Sequence, residues 1–98
     1  MADNERKKAG DSAVLRHRDR AAALWAAELL GLINEAARDY VHDLTHGSET
    51  PKDDEGLIHR LARDLHGKAS VHEIQAKLSH FLGEAKRQIF HDHGGDPA

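Results

Sequence analysis

Apolar residues recur along this chain at three- and four-residue intervals, the period of one helix face, and nowhere do they alternate as a half-buried strand requires. The first stretch places Val14, Ala21, Ala22, Trp25, Leu29 and Leu32 on one side, with Arg18 in the same stripe. Asp11 or Ser12 can cap it, and Gly31 stands where a C-terminal glycine cap belongs, so the pattern predicts a helix over 11–30. Alanine dominates its middle, which favours helix and permits close helix packing.

The second predicted helix covers 34–46, with Asn34 as its cap and Ala36, Ala37, Tyr40, Val41 and Leu44 as its apolar stripe. Gly47 and the polar turn from Ser48 to Lys52, with Pro51 inside it, close that helix. Asp53 and Asp54 then open a third helix over 54–66, where their charge suits the positive end of the helix dipole. Leu57, Ile58, Leu61, Ala62 and Leu65 form its apolar face, and Gly67 ends it. The fourth helix, 70–90, has the clearest start. Ser70 and Glu73 have capping-box spacing, and Val71, Ile74, Leu78, Phe81, Leu82, Ala85 and Ile89 follow at helical period.

Four amphipathic helices with short connections can bury their stripes only against one another, which predicts an all-α four-helix bundle over 11–91. Its expected core contains Trp25, Tyr40, Leu61, Ile74, Leu78 and Phe81. Residues 1–10 lack a large apolar side chain after Met1, and Gly10 is expected to interrupt any helix there, so this stretch reads as a flexible tail. Residues 92–98 read as a second one.

Composition narrows the function. The 98 residues make one small domain, with no cysteine for disulfides or thiolate metal sites. The formal charge of −3 lacks the basic excess that nucleic acid demands. The longest uncharged apolar run, Ala21 to Ala27, is too short for membrane insertion, and the charged N-terminus is no secretory signal. A cytoplasmic monomer is expected. Nine histidines are the oddity, and they make the net charge climb as pH falls through roughly 6.5.

The search for chemistry yields no catalytic apparatus. The glycines sit at helix ends rather than in a phosphate-binding loop, and there is no HExxH zinc motif. None of the four serines lies in a nucleophile-elbow context. Asp53-Asp54-Glu55 is better explained by the helix dipole than by acid/base work. His42 and His46 stand one helical turn apart beside Asp39 and Asp43, a spacing that could chelate a divalent metal but that also describes two solvated imidazoles. His91 and His93 lie too near the frayed end to make a good site. No metal or cofactor is therefore expected.

Two features suit a partner or ligand. Arg16-His17-Arg18-Asp19-Arg20 concentrates positive charge, either as an ordinary solvated face or as a patch for an acidic partner or phosphate. Arg18 falls on the apolar stripe, where its stem is expected to cover the core edge while its head reaches water. Trp25 is foremost a core residue, though tryptophan also serves as a binding hot spot. Arg16, Arg18, Arg20 and Trp25 are thus the candidate binding residues. One alternative is a nucleotide, whose phosphate suits an arginine fork and whose purine suits an aromatic face.

The run Arg18-Asp19-Arg20-Ala21-Ala22-Ala23-Leu24-Trp25-Ala26-Ala27-Glu28-Leu29-Leu30-Gly31-Leu32 resembles the signature of the zeta subunit family of alphaproteobacterial F-type ATP synthases. That signature has a basic cluster, then Leu-Trp-Ala-Ala-Glu, one residue, and Leu-Gly-Leu. Tyr40, the Leu57–Leu65 stretch, the Ser70-capped helix and Arg87-Gln88-Ile89 follow in the same order, so the likeness spans roughly residues 16 to 90. The resemblance implies a four-helix bundle that binds the catalytic subunits of the ATP synthase head and blocks ATP hydrolysis. In the family, an N-terminal segment enters a catalytic interface as a helix while the bundle anchors outside. That segment is longer, acidic and phenylalanine-bearing, whereas this chain has no phenylalanine before Phe81. The shortened segment predicts weak inhibition, because ordering it on a partner needs apolar area to offset the entropy lost.

Overall fold

The structure is a computed structural model that describes residues 2–47 and 50–93, with side chains described for 12–47 and 50–89. Four helices follow one another: α1 (Ala2–Leu29), α2 (Asn34–His46), α3 (Asp54–Asp64) and α4 (Val71–His93). No strand occurs among the described residues. The all-α four-helix architecture predicted from periodicity is the one observed.

The outer ends differ from expectation. α1 begins at Ala2 and passes through Gly10 without a break. One glycine costs a helix only about 1 kcal/mol relative to alanine and keeps its N–H and C=O, and the flanking Ala, Glu, Arg and Lys residues are good helix formers. The 28 residues of α1 amount to about 42 Å of helix, comparable with the 44 Å long axis of the molecule. α4 continues to His93, so the start of the expected C-terminal tail is helical, while residues 94–98 lie outside the described residues.

α1 is the hub. It packs along both α4 and α2, and α3 packs against α4. Its buried positions are mostly methyl groups, those of Ala22, Ala23, Ala26 and Ala27, with Val14 nearer the N-terminus. Small side chains on this face let neighbouring helices approach closely. Bulk comes from across the seam, where Leu57, Leu61, Leu65, Ile74 and Leu78 are buried. The predicted stripes erred at their edges: Leu29 and Val71 are exposed, because the inward face of α1 is the alanine face and α4 turns inward only from Ile74. Trp25, Tyr40 and Phe81 pack on this core at its half-buried rim rather than inside it. Leu61, Ile74 and Leu78 are buried as expected.

The helix ends show how the sequence sets the path. At α4 the Ser70 amide donates to Glu73 Oε1 and the Glu73 amide donates to Ser70 Oγ, each at 3.1 Å, completing the capping box. Asp53 caps α3 by accepting from the Gly56 amide at 2.8 Å. α1 closes with the paired bonds of a Schellman motif, Leu32 N–H to Ala27 C=O at 2.9 Å and Gly31 N–H to Glu28 C=O at 3.0 Å. Gly31 takes the left-handed conformation this motif requires, with φ 75°. Asn34 is a correction. It makes no side-chain cap, and Ile33 holds the N-cap position of α2. Asn34 itself sits at φ 53°, a left-handed geometry that asparagine tolerates better than most residues.

Candidate functional site

Arg18 is buried, and its head does not reach into water as the sequence suggested. Its Nη2 donates to Asp54 Oδ1 at 2.8 Å, and its Nε donates to Asp19 Oδ1 at 2.9 Å. Burial alone would lower the guanidinium pKa, but the bonds to Asp54 and Asp19 outweigh it and raise it. The bond from Arg18 in turn holds the Asp54 carboxyl below its ordinary range, against a smaller opposing effect of burial. Arg18 therefore ties the middle of α1 to the first turn of α3. Its Nε and Nη2 donors are committed to the fold.

A second network joins α2 to α3. The Tyr40 hydroxyl and Arg60 Nε both donate to Asp64 Oδ2 at 2.9 Å, while Arg63 Nη2 donates to Oδ1 at 3.1 Å. Burial pushes the Tyr40 phenol up, and its hydrogen bond to Asp64 adds to the shift. Burial would raise Asp64 as well, but its donors from Arg60, Tyr40 and Arg63 prevail and lower it. Every polar atom of this half-buried cluster that needs a partner has one, because no buried side-chain nitrogen or oxygen among the described residues is unsatisfied.

The other arginines of the basic segment behave differently. Arg16 and Arg20 are exposed, and they line a groove of about 360 Å³ with His17 and Asp19 of α1, Thr45 and His46 of α2, and Ile89 of α4. A second groove of about 320 Å³ adjoins it between α1 and α2. Leu24, Ala37 and Val41 supply its apolar lining, and Arg20, Arg38 and His42 its basic one. Arg20, Thr45 and His46 belong to both grooves. Arg16, Arg20 and Arg38 form no ion pair among the described residues. Asp19 is held by Arg18 at 2.7 Å.

The His42 and His46 rings stack with centroids 5.6 Å apart. Thr45 Oγ1 lies 2.8 Å from His46 Nδ1 and donates its one hydrogen to the Val41 carbonyl at 2.7 Å. With that hydrogen spent on Val41, a hydrogen bond between the two needs the His46 tautomer that carries its proton on Nδ1. No group of three or more metal-binding side chains occurs among the described residues, so the helical His pair gains no third ligand there. The side chains of His91 and His93 lie outside the described residues.

The four sequence candidates do not converge. Arg16 and Arg20 share a groove, Arg18 is internal, and Trp25 stands five positions beyond Arg20, about 140° around the helix. Trp25 meets Phe81 edge to face at 6.5 Å, with Lys77 Nζ 6.0 Å from its ring centroid. The sequence reading missed Arg38 and Leu24 as groove residues. Projecting the polar faces of α1 and α2 would have found them, since Arg20 and Leu24 lie one turn apart on α1, as Arg38 and His42 do on α2.

A central helix with an alanine seam, two carboxylate-anchored cross-ties and a basic groove on the outside define a small helical-bundle domain with its cationic surface set apart from its core. Residues 5–88 match the model of the ATPase inhibitor subunit zeta family, and the chain belongs to that family. Its family role is regulatory rather than catalytic. No curated protein and no solved structure matches the chain. No described helix is long and apolar enough to cross a membrane.

Proposed function

We propose that this chain binds the catalytic head of F-type ATP synthase from the cytoplasm, through the outer surface of its bundle, and inhibits ATP hydrolysis only weakly. Family membership across residues 5–88, which reaches into all four helices, carries the first part. Composition carries the second. From Ala2 to Ala13 the only apolar side chains are alanines, and Val14, the first larger one, is already buried in the bundle. A helix that wedges into a catalytic interface needs hot-spot side chains to hold it there, and alanine is not one of them. The helical backbone of residues 2–10 lowers the ordering cost of such a segment but supplies no anchor. The nucleotide reading has less support, because Trp25 packs against α4 while Arg16 and Arg20 face the α1–α2 side.

The test is ATP hydrolysis by the purified cognate head with the full chain titrated in. Partial inhibition that levels off well short of completion is expected. Near-complete inhibition at low micromolar chain would refute the weak-inhibitor reading, as would loss of inhibition on deleting residues 1–10.

A further inference from the structure

We infer that the double groove between α1 and α2 is the docking surface for an acidic, amphipathic segment of the protein partner, with Arg20 and Arg38 as its charged anchors and Leu24 as its apolar one. This rests on the reading that the partner is the ATP synthase head. The chain as a whole is acidic, at −3, yet this face presents Arg16, Arg20 and Arg38 together with His17, His42 and His46. The carboxylate among the lining residues, Asp19, already accepts from Arg18. Arg16, Arg20 and Arg38 make no ion pair among the described residues, so carboxylates from outside can gain bidentate bonds to their guanidinium forks.

Charge alone does not describe the surface. Leu24 is 47% exposed between Arg20 and Arg38 in the second groove, and Ala37 and buried Val41 line the same groove. Ile89 supplies an apolar wall to the first groove. An apolar floor with a basic rim is the anatomy of a protein-binding patch: the apolar contact gives affinity, and the rim sets register and encounter rate. A small anion such as inorganic phosphate would satisfy the arginines but leave Leu24 in water. A segment with Leu- or Phe-type residues on one face and Glu or Asp beside them satisfies both. The surface is also preformed on two rigid helices, so docking orders little beyond the exposed side chains.

The experiment measures binding of the full chain to the immobilised, purified cognate head. It compares wild type with Arg20→Glu/Arg38→Glu, with Leu24→Ser, and with a control of equal charge change, Lys52→Glu/Lys68→Glu. All five positions are exposed, and the folding of each variant is checked by circular dichroism. The arginine reversals are expected to weaken binding about tenfold or more at low salt, with the gap narrowing as salt screens it. Leu24→Ser is expected to weaken binding several-fold at every salt concentration, and the lysine control should change it by less than about twofold. Wild-type binding with the groove variants equally tight would overturn this docking and leave the proposed function standing. So would a lysine control as weak as the arginine variant, which marks a net-charge effect. Competition by millimolar inorganic phosphate or ATP, with Leu24→Ser without effect, would mark an anion site and overturn it too. No wild-type binding at all would overturn the proposed function and this docking together.

Discussion

Arg18 is the residue whose role the structure changes most. Read on the helical wheel it is a basic side chain misplaced on an apolar stripe; in the fold its side chain is 6% exposed and grips Asp54, itself 66% exposed, at 2.8 Å. Removing Asp54 leaves the buried guanidinium with Asp19 as its one remaining counter-charge, whereas replacing the buried member by an apolar side chain of similar length avoids that loss of compensation. Asp54→Asn should therefore cost about 1–2 kcal/mol, the upper range for buried pairs being reduced by solvent screening at Asp54. Arg18→Met should cost less than about 1 kcal/mol. Urea unfolding of the two variants checks the order; Arg18→Met as the more damaging change would show that the guanidinium contributes beyond its pair. On sequence alone Arg18 stands out only as an anomaly. Its partner is 36 residues away in α3, and no local pattern specifies a contact that tertiary packing makes. The Ser70–Glu73 box was fully legible because both its hydrogen bonds lie within one turn.

At the scale of elements, period and caps located every helix, and failures came where sequence rules are permissive. Gly10 reads as a stop in the sequence, but one glycine only weakens a helix and α1 runs through it. Asn34 reads as a side-chain cap in the sequence, whereas the four-residue connection from α1 enters α2 through its left-handed backbone instead. The stripe of α1 read from the sequence includes Trp25 and Leu29, while close packing buries the alanine face beside them. Gly83 offers a test of how much α4 is held by propensity. It lies inside α4, and a methyl group added there meets only Arg87 Nη1, at an ordinary 3.7 Å. Gly83→Ala should stabilise the fold by about 0.5–1 kcal/mol. A loss of stability in thermal or urea unfolding would mean that the helix must bend or be approached closely at this point.

Across the whole molecule, the two cross-ties set the pH range of the bundle. Asp54 and Asp64 titrate below their ordinary 3.8 in the fold, so their contribution is complete above that value and is lost as pH falls through the lowered folded values. Tyr40 is shifted up from its ordinary 10.0, so its contribution is complete below pH 10 and is lost as pH rises beyond it. Stability to urea should thus decline on both sides of a plateau. Tyr40→Phe should remove most of the alkaline decline at a cost of about 0.5–1.5 kcal/mol on the plateau. An unchanged alkaline arm in Tyr40→Phe would assign that decline to another group. The grooves belong to this scale as well. Their basic residues were partly legible in the run from Arg16 to Arg20, but α2 supplies Arg38, His42 and His46, and only the pairing of α1 with α2 joins the two sets.

Binding to the catalytic head is the claim on which the functional account stands, and co-elution tests it most directly. The purified chain at roughly 10 µM, mixed with the purified cognate head near physiological ionic strength, is passed over a size-exclusion column. The account predicts that the chain elutes in the head's peak together with its catalytic subunits. A chain that elutes wholly at its own position, with the head intact and active, would contradict it.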